Sequence, residues 1–422
     1  MTLIKTSLLN GIAVAIKMLT LLGINKILAI YVGPAGYAVL GQFQNAVQMI
    51  ATFASGAINT GVTKYTAEYH SDEAEQHKVW RTAGSIALLG SMFTAVTIFF
   101  LSKPLANWFL PSEDYSSVFQ WFAVALVFFT FNTLLLAILN GKKEIARYVT
   151  ANITGSVFAL LVTIFMVIQF GLYGALVALV AYQSLTFIVT LLLCYKAPWF
   201  KFSYLFGGID KKTAINLAKY TAMAMTSAAC APISQIMVRN HLGESFGWEA
   251  AGYWEAMWRL SGSYLMLVTT TLSIYYLPRL SELQGWNEIK REILQGYALI
   301  LPVAALSGLI IFSLRDFIIE ILFTSDFAPM RNLFAWQMLG DTLKIGGWML
   351  AYLMLGKSMV KRFLYAEVVF SVSFILLVYY LCGFLGLQGV VVAYAVNYFL
   401  YWVAMYFLIF KLNALDVTCS RY

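Results

Sequence analysis

Six ionisable side chains fall inside apolar stretches of this 422-residue chain: Lys17, Glu255, Arg259, Asp341, Lys344 and Glu367. At about 2.5–3.5 kcal/mol each on insertion scales, six lipid-facing charges would cost on the order of 15–20 kcal/mol, at or above a typical net folding stability of ~5–15 kcal/mol. They must therefore face one another or water. Glu255 and Arg259 are four residues apart and Asp341 and Lys344 three apart, so on helices each pair shares a face and can neutralise itself. Glu255, Asp341, Lys344 and Glu367 are accordingly read either as structural ion-pair members or as coupling groups of a transport cavity. Lys17 has no acidic residue at helical spacing, which points to a watery or anion-binding surrounding.

A second pattern is uncharged. Asn45, Gln48, Thr52, Ser55 and Asn59 follow spacings of 3, 4, 3 and 4, one continuous polar stripe if a single helix carries them. Such a stripe is costly against lipid, so it either pairs helices through hydrogen bonds or lines a wet cavity. Catalytic chemistry is not indicated. The GKS at Gly356 lacks the earlier glycine of a phosphate-binding loop, whose place is taken by Ala351, and it falls in a turn between spans. Cys194, Cys230, Cys382 and Cys419 have no paired spacing, and His70, His77 and His241 form no ligand cluster, so neither a metal nor a cofactor is expected. The loops are too short for a catalytic domain.

These residues must be positioned by membrane helices. The chain is 61% hydrophobic and 11% charged, with a mean hydropathy of +0.76, where soluble domains carry about 25% charged residues. Apolar runs of about 20 residues recur between short polar loops, each long enough to cross a hydrocarbon core of ~30 Å as a helix, and the alternation of a β-barrel is missing. Hydropathy predicts twelve spans, near 7–31, 36–61, 82–102, 118–139, 149–170, 174–195, 214–240, 251–277, 293–314, 332–355, 363–382 and 388–410. The first reads as a retained span and not a cleaved signal.

The chain also writes itself twice. GKKEIARY from Gly141 recurs as GKSMVKRF from Gly356, and GLYGALVA from Gly171 recurs as GLQGVVVA from Gly386. Arg147 with Arg362, Trp121 with Trp336, and Lys196 with Lys411 keep the same offset of 215 residues. Six spans per repeat is an even number, which makes the halves parallel. The expected organisation is all-α: a six-helix bundle over 1–195, a basic cytoplasmic linker over 196–213 and a second six-helix bundle over 214–422. With the N-terminus in the cytoplasm, about twenty Lys and Arg fall inside and about four outside (Lys103, Arg239, Arg315 and Arg331), which predicts both termini cytoplasmic. The net charge of +8 is scattered through loops, so it sets topology and lipid-headgroup contact and does not indicate nucleic acid.

GVTKYTAEYH from Gly61, YYLPRLSEL from Tyr275, LRDF from Leu314 and the long string FAPMRNLFAWQMLGDTLKIGGWMLAYLMLGK from Phe327 to Lys357 resemble the Wzx-type lipid-linked oligosaccharide flippases of Gram-negative bacteria, within the multidrug/oligosaccharidyl-lipid/polysaccharide exporter superfamily. The resemblance covers the full length. It implies an inner-membrane carrier that moves an undecaprenyl-diphosphate-linked oligosaccharide, of the O-antigen or enterobacterial common antigen type, from the cytoplasmic to the periplasmic leaflet. It also implies alternating access, a central cavity lined by spans one, two, seven and eight, and a polymerase and chain-length regulator of the same pathway as partners. Lys17 and Arg259 would then hold the diphosphate, while Asn45, Gln48, Thr52, Ser55 and Asn59 would meet the glycan. A multidrug exporter would be expected to select organic cations with acids, against the basic excess here, and a membrane polymerase or glycosyltransferase would need a sizeable loop that this chain lacks.

Overall fold

The computed structural model describes residues 3–110, 113–283, 285–357 and 359–410; the repeat anchor Lys411 and Cys419 lie outside them. Within these residues there is no strand. The helices are α1 (Leu3–Tyr31), α2 (Gly33–Ala54), α3 (Asn59–Glu68), α4 (Glu73–Phe100), α5 (Ser102–Phe109), α6 (Ser116–Gly141), α7 (Ile145–Tyr195) and α8 (Lys211–Phe246), then α9 (Trp248–Thr271), α10 (Leu277–Glu282), α11 (Trp286–Ser313), α12 (Arg315–Leu322), α13 (Phe334–Gly356), α14 (Val360–Leu385) and α15 (Gln388–Phe410). The protein is an all-α polytopic membrane protein, as a chain that must satisfy every backbone group inside lipid has to be.

Among the described residues, seven helices are long and apolar enough to cross a membrane: α1 from Gly11, α4, α6, α7, α11, α14 and α15. α7 carries two expected spans, separated by Gly171 at φ +55°. The other four expected spans correspond to α2, α8, α9 and α13, whose polar and charged side chains keep them below that hydropathy. Those are the helices that hold most of the candidate site residues.

The repeat is visible element by element. α7 opens at Ile145 and α14 at Val360, and the breaks fall at Gly171 and Gly386, with φ of +55° and +58°. Both pairs keep the offset of 215. A left-handed backbone at the same place in each copy explains why glycine is written there twice.

Two compact units follow, Met1–Ile236 and Met237–Tyr422. The division falls inside α8 and not at 196–213, because that basic segment is docked and not a free linker. Leu205 is fully buried, Ser85 donates to the Gly207 carbonyl at 2.8 Å, and the Asp210 amide donates to the Thr82 hydroxyl at 3.2 Å. Asp210 in turn caps α8: the Thr213 hydroxyl and amide donate to its carboxylate at 2.6 and 2.8 Å, which holds that carboxyl below the ordinary range. The approach depends on Gly84, where an added Cβ would sit 1.9 Å from the Leu205 carbonyl oxygen. Gly84→Ala must displace that backbone, so it should cost about 1–3 kcal/mol and expose 196–210 to limited proteolysis. A variant cleaved there no faster than the parent would show that the docking is not what secures the segment.

In the first unit the core lies between α3, α4 and α6, where Val62, Trp80, Leu135 and Ile138 are nearly fully buried. In the second, α13 runs against α15. Gly340 lets the Tyr394 ring approach, since an added Cβ would lie 2.3 Å from its Cδ1, and small residues at helix contacts bring backbones together in this way.

Candidate functional sites in the two units

The first unit holds a polar cavity of about 150 Å³ between α1, α6 and α7. Lys17 lines it together with Asn132, Asn152, Tyr182, Gln183 and Thr186. The amides are fixed in place: Asn132 donates to Gln183 Oε1 at 3.1 Å, Gln183 donates to the Tyr182 hydroxyl at 3.0 Å, and Thr190 donates to Asn132 Oδ1 at 2.8 Å. Among the described residues no carboxylate lines the cavity. A cation among neutral dipoles is suited to an anion or a hydroxyl-rich ligand. The Asn132, Tyr182 and Gln183 partners were not anticipated, since neutral polar residues on otherwise apolar spans carry little weight singly.

The stripe expected on span two is interrupted. α2 ends at Ala54, and Gly56 and Ala57 both take positive φ before α3 begins at Asn59. Asn59 therefore leaves the face set by the first four. Thr52 and Ser55 turn their hydroxyls to the carbonyls of Gln48 and Thr52 at 2.8 and 2.9 Å, as short hydroxyl side chains do when they find a local carbonyl. Asn45 is buried and donates to Gln235 Oε1 at 3.0 Å, while Gln48 is exposed. The stripe thus divides into one buried helix-pairing amide, two hydroxyls bonded to backbone and two amides outside that pattern.

In the second unit Glu255 is buried and shared by two guanidinium groups. Arg259 Nε lies 2.8 Å from Oε1, the pairing expected from the four-residue spacing, and Arg239 Nη2 lies 2.7 Å from Oε2. Arg239 is expected among the outside cations, at the outer end of a span over 214–240. It is instead 1% exposed within α8, over the Trp254 ring at 5.6 Å. α8 runs on to Phe246, past the expected boundary at 240, and ends before Gly247 at φ +90°, so Arg239 lies more than a turn inside the helix and not at its end. One carboxylate between two guanidiniums leaves the cluster with a net charge of +1.

Asp341 and Lys344 share α13 but turn to different partners. Asp341, 1% exposed, accepts from Ser261 at 2.7 Å, Tyr394 at 2.6 Å, Gln337 at 3.3 Å and also from Tyr264. Four donors is the number a carboxylate's lone pairs can take. The Lys344 ammonium lies over four rings: Trp258 at 4.7 Å, Trp348 at 4.8 Å, Tyr398 at 5.0 Å and Tyr394 at 5.3 Å. Mutual neutralisation of Asp341 and Lys344 by direct contact, one of the two expected readings, is replaced by separate solvation of each charge. Glu367, half-buried on α14, stands within Coulombic range of Lys344. Trp348, Tyr394 and Tyr398 do not stand out among the 16% of aromatic residues in the chain.

A family described as "Polysaccharide biosynthesis protein" matches residues 3–284. A protein named lipid III flippase from Escherichia coli (strain K12) is 30% identical over 401 residues, covering 95% of this chain and 96% of that one. Among solved structures, an inward-facing multidrug resistance MATE family transporter of the MOP superfamily aligns with a TM-score of 0.78 at 14% identity, covering 95% of this chain and 96% of that one. An outward-facing structure of such a transporter aligns at 0.69 and 15% identity, covering 96% of each chain. At those identities the structural likeness speaks to the fold, which is that of the superfamily expected from the sequence.

Proposed function

The chain belongs to the polysaccharide biosynthesis protein family, and we propose that it is a flippase that carries an isoprenoid-diphosphate-linked oligosaccharide across the bacterial inner membrane. The observation that carries this reading is the near full-length identity to a protein named lipid III flippase. The sites support it chemically. A diphosphate needs cations, and each unit offers one: Lys17 in the acid-free cavity of the first, and Arg259 in the net-positive cluster of the second. Charge-assisted hydrogen bonds from such groups are short and strong, so each is a candidate diphosphate contact within its own unit. Asn45, Gln48, Thr52, Ser55 and Asn59 become secondary candidates for the glycan, since three of them bond to the protein itself.

The finer parts of the reading are that movement is by alternating access without ATP hydrolysis, that both termini face the cytoplasm, and that a polymerase and chain-length regulator receive the product. Orientation can be tested at Gly208, which is exposed, whereas Leu205 is buried and would report nothing. Gly208→Cys should react with an impermeant thiol reagent only after the membrane is opened; labelling in intact cells would invert the topology.

The function itself is tested with proteoliposomes loaded with an isoprenyl-diphosphate oligosaccharide that a lectin detects on the outer leaflet. Protein-dependent exchange between leaflets is expected, and exchange of an organic cation dye without movement of the glycolipid would favour a drug exporter. Arg259→Ala should slow glycolipid exchange at least roughly tenfold, the loss of about one charged hydrogen bond. It should leave the amount of folded protein unchanged, because Glu255 keeps Arg239 as its partner. Arg259→Lys should retain part of the rate, since an ammonium lacks the bidentate fork.

A further inference from the structure

Trp258, Trp348, Tyr394 and Tyr398 enclose the Lys344 ammonium with ring faces at 4.7–5.3 Å, and the described contacts of that ammonium include no oxygen acceptor. Ring faces offset part of the charge, but an ammonium has three N–H donors that a π cloud satisfies poorly. Lys344 is nevertheless 7% exposed, and Trp258, Trp348 and Tyr398 are each half-buried. The box therefore shows ring surface at its rim, with the buried ammonium as the donor behind it. Its occupant can be narrowed by charge. A second cation is excluded by Lys344 itself. A diphosphate is disfavoured by the carboxyl groups of Asp341 and Glu367 within Coulombic range, in contrast to the net-positive Arg239–Glu255–Arg259 cluster. What remains is a largely neutral, hydroxyl-rich ring with apolar C–H faces, which is the chemistry of a pyranose.

We propose that the aromatic box around Lys344 is the subsite for the sugar next to the diphosphate of the carried lipid, with the ammonium donating to sugar oxygens and Trp258 and Trp348 stacking on the ring. This deepens the flippase reading and rests on it. The placement follows from continuity within the second unit. The Arg239 guanidinium lies 5.6 Å from the Trp254 ring, Trp254 lies 5.6 Å from Trp258, and Trp258 lies 4.7 Å from the Lys344 ammonium. Arg259 shares the Glu255 carboxylate with that Arg239 guanidinium, so the candidate diphosphate group and the box lie along one chain of contacts, as two ligand groups bonded directly to each other require. Asp341, tied to Ser261, Tyr264 and Tyr394, locks α9, α13 and α15 around the box.

The test uses full-length protein in nanodiscs and two kinds of probe, farnesyl diphosphate and farnesyl diphosphate bearing one hexose (glucose, galactose or N-acetylglucosamine in turn). The parent should bind at least one hexosylated form roughly tenfold more tightly than the bare diphosphate, the scale of one desolvated stacking contact. Lys344→Gln and, separately, Trp348→Leu should erase that preference while binding bare farnesyl diphosphate as the parent does. Equal affinity of the parent for all probes overturns the proposal, as does a preference that survives both substitutions. Equal loss of both kinds of probe also overturns it, because the box would then be reading the diphosphate or merely holding the unit together. Arg259→Ala serves as the independent arm. If it weakens all probes alike the diphosphate reading stands, and if it weakens none that reading fails while the sugar preference is judged on its own.

Discussion

Glu255→Ala is expected to destabilise the second unit by about 3–5 kcal/mol, the scale of breaking a buried ion pair by removing one partner. Arg239 is 1% exposed and lies between the carboxylate and the Trp254 ring, so it has no route to water that would relieve an uncompensated charge. Arg259, at 17% side-chain exposure, can rotate outward and contributes less. The expected result is a large fall in melting temperature for purified protein in detergent, with Arg259→Ala close to the parent. The double variant Arg239→Leu with Glu255→Leu should recover much of the loss, because replacing both members of a buried pair by apolar side chains is often near neutral. A Glu255→Ala protein that melted like the parent would mean that water reaches Arg239, and the cluster would then be a hydrated part of the transport route.

The architecture was largely legible in the sequence because a bilayer allows few solutions. The all-α membrane architecture, its two-fold internal repeat and the break between GLYGALVA and the helix before it follow from apolar length and from Gly171 and Gly386 recurring at one offset. Charges at helical spacing were also legible, as Glu255 and Arg259 show. Partners supplied by other helices were not. Arg239 reads as a cation at the outer end of a span until Gly247 is recognised as the end of α8, and a local rule for charge pairs cannot say that Lys344 prefers four rings to the carboxylate three residues away. The polar stripe failed for a related reason: spacing extrapolates a straight helix, whereas Gly56 and Ala57 turn the chain before Asn59. Docking of 196–213 was equally hidden, since basic residues and glycines suggest a linker while Leu205 and Gly84, the residues that fix it, look ordinary.

Asp341→Leu is expected to be the other strongly damaging change, and the ways in which it can fail identify what the residue does. Its four donors, from Ser261, Tyr264, Gln337 and Tyr394, come from three helices; in a site with little access to water Ser261 and Tyr394 would lose the acceptor they use here, while Gln337 would keep only Ser261 Oγ at 3.1 Å and Tyr264 only the weak Met338 Sδ at 3.8 Å. An orphaned buried donor costs ~1–3 kcal/mol, and although such costs are not additive, a loss of about 3–6 kcal/mol follows. Asp341→Asn keeps the shape and one carbonyl acceptor, so it should cost about 1–3 kcal/mol, and Tyr394→Phe, which removes one donor while keeping the ring over Lys344, about 1 kcal/mol. Denaturant melts of the three variants in one detergent would check the order. Asp341→Asn as damaging as Asp341→Leu would show that the negative charge balances the caged ammonium, making Lys344 and not the hydroxyls the partner that matters. All three near the parent would instead show that the hydroxyls find water once the carboxylate is gone, which requires the site to open toward the solvent-filled part of the transport pathway.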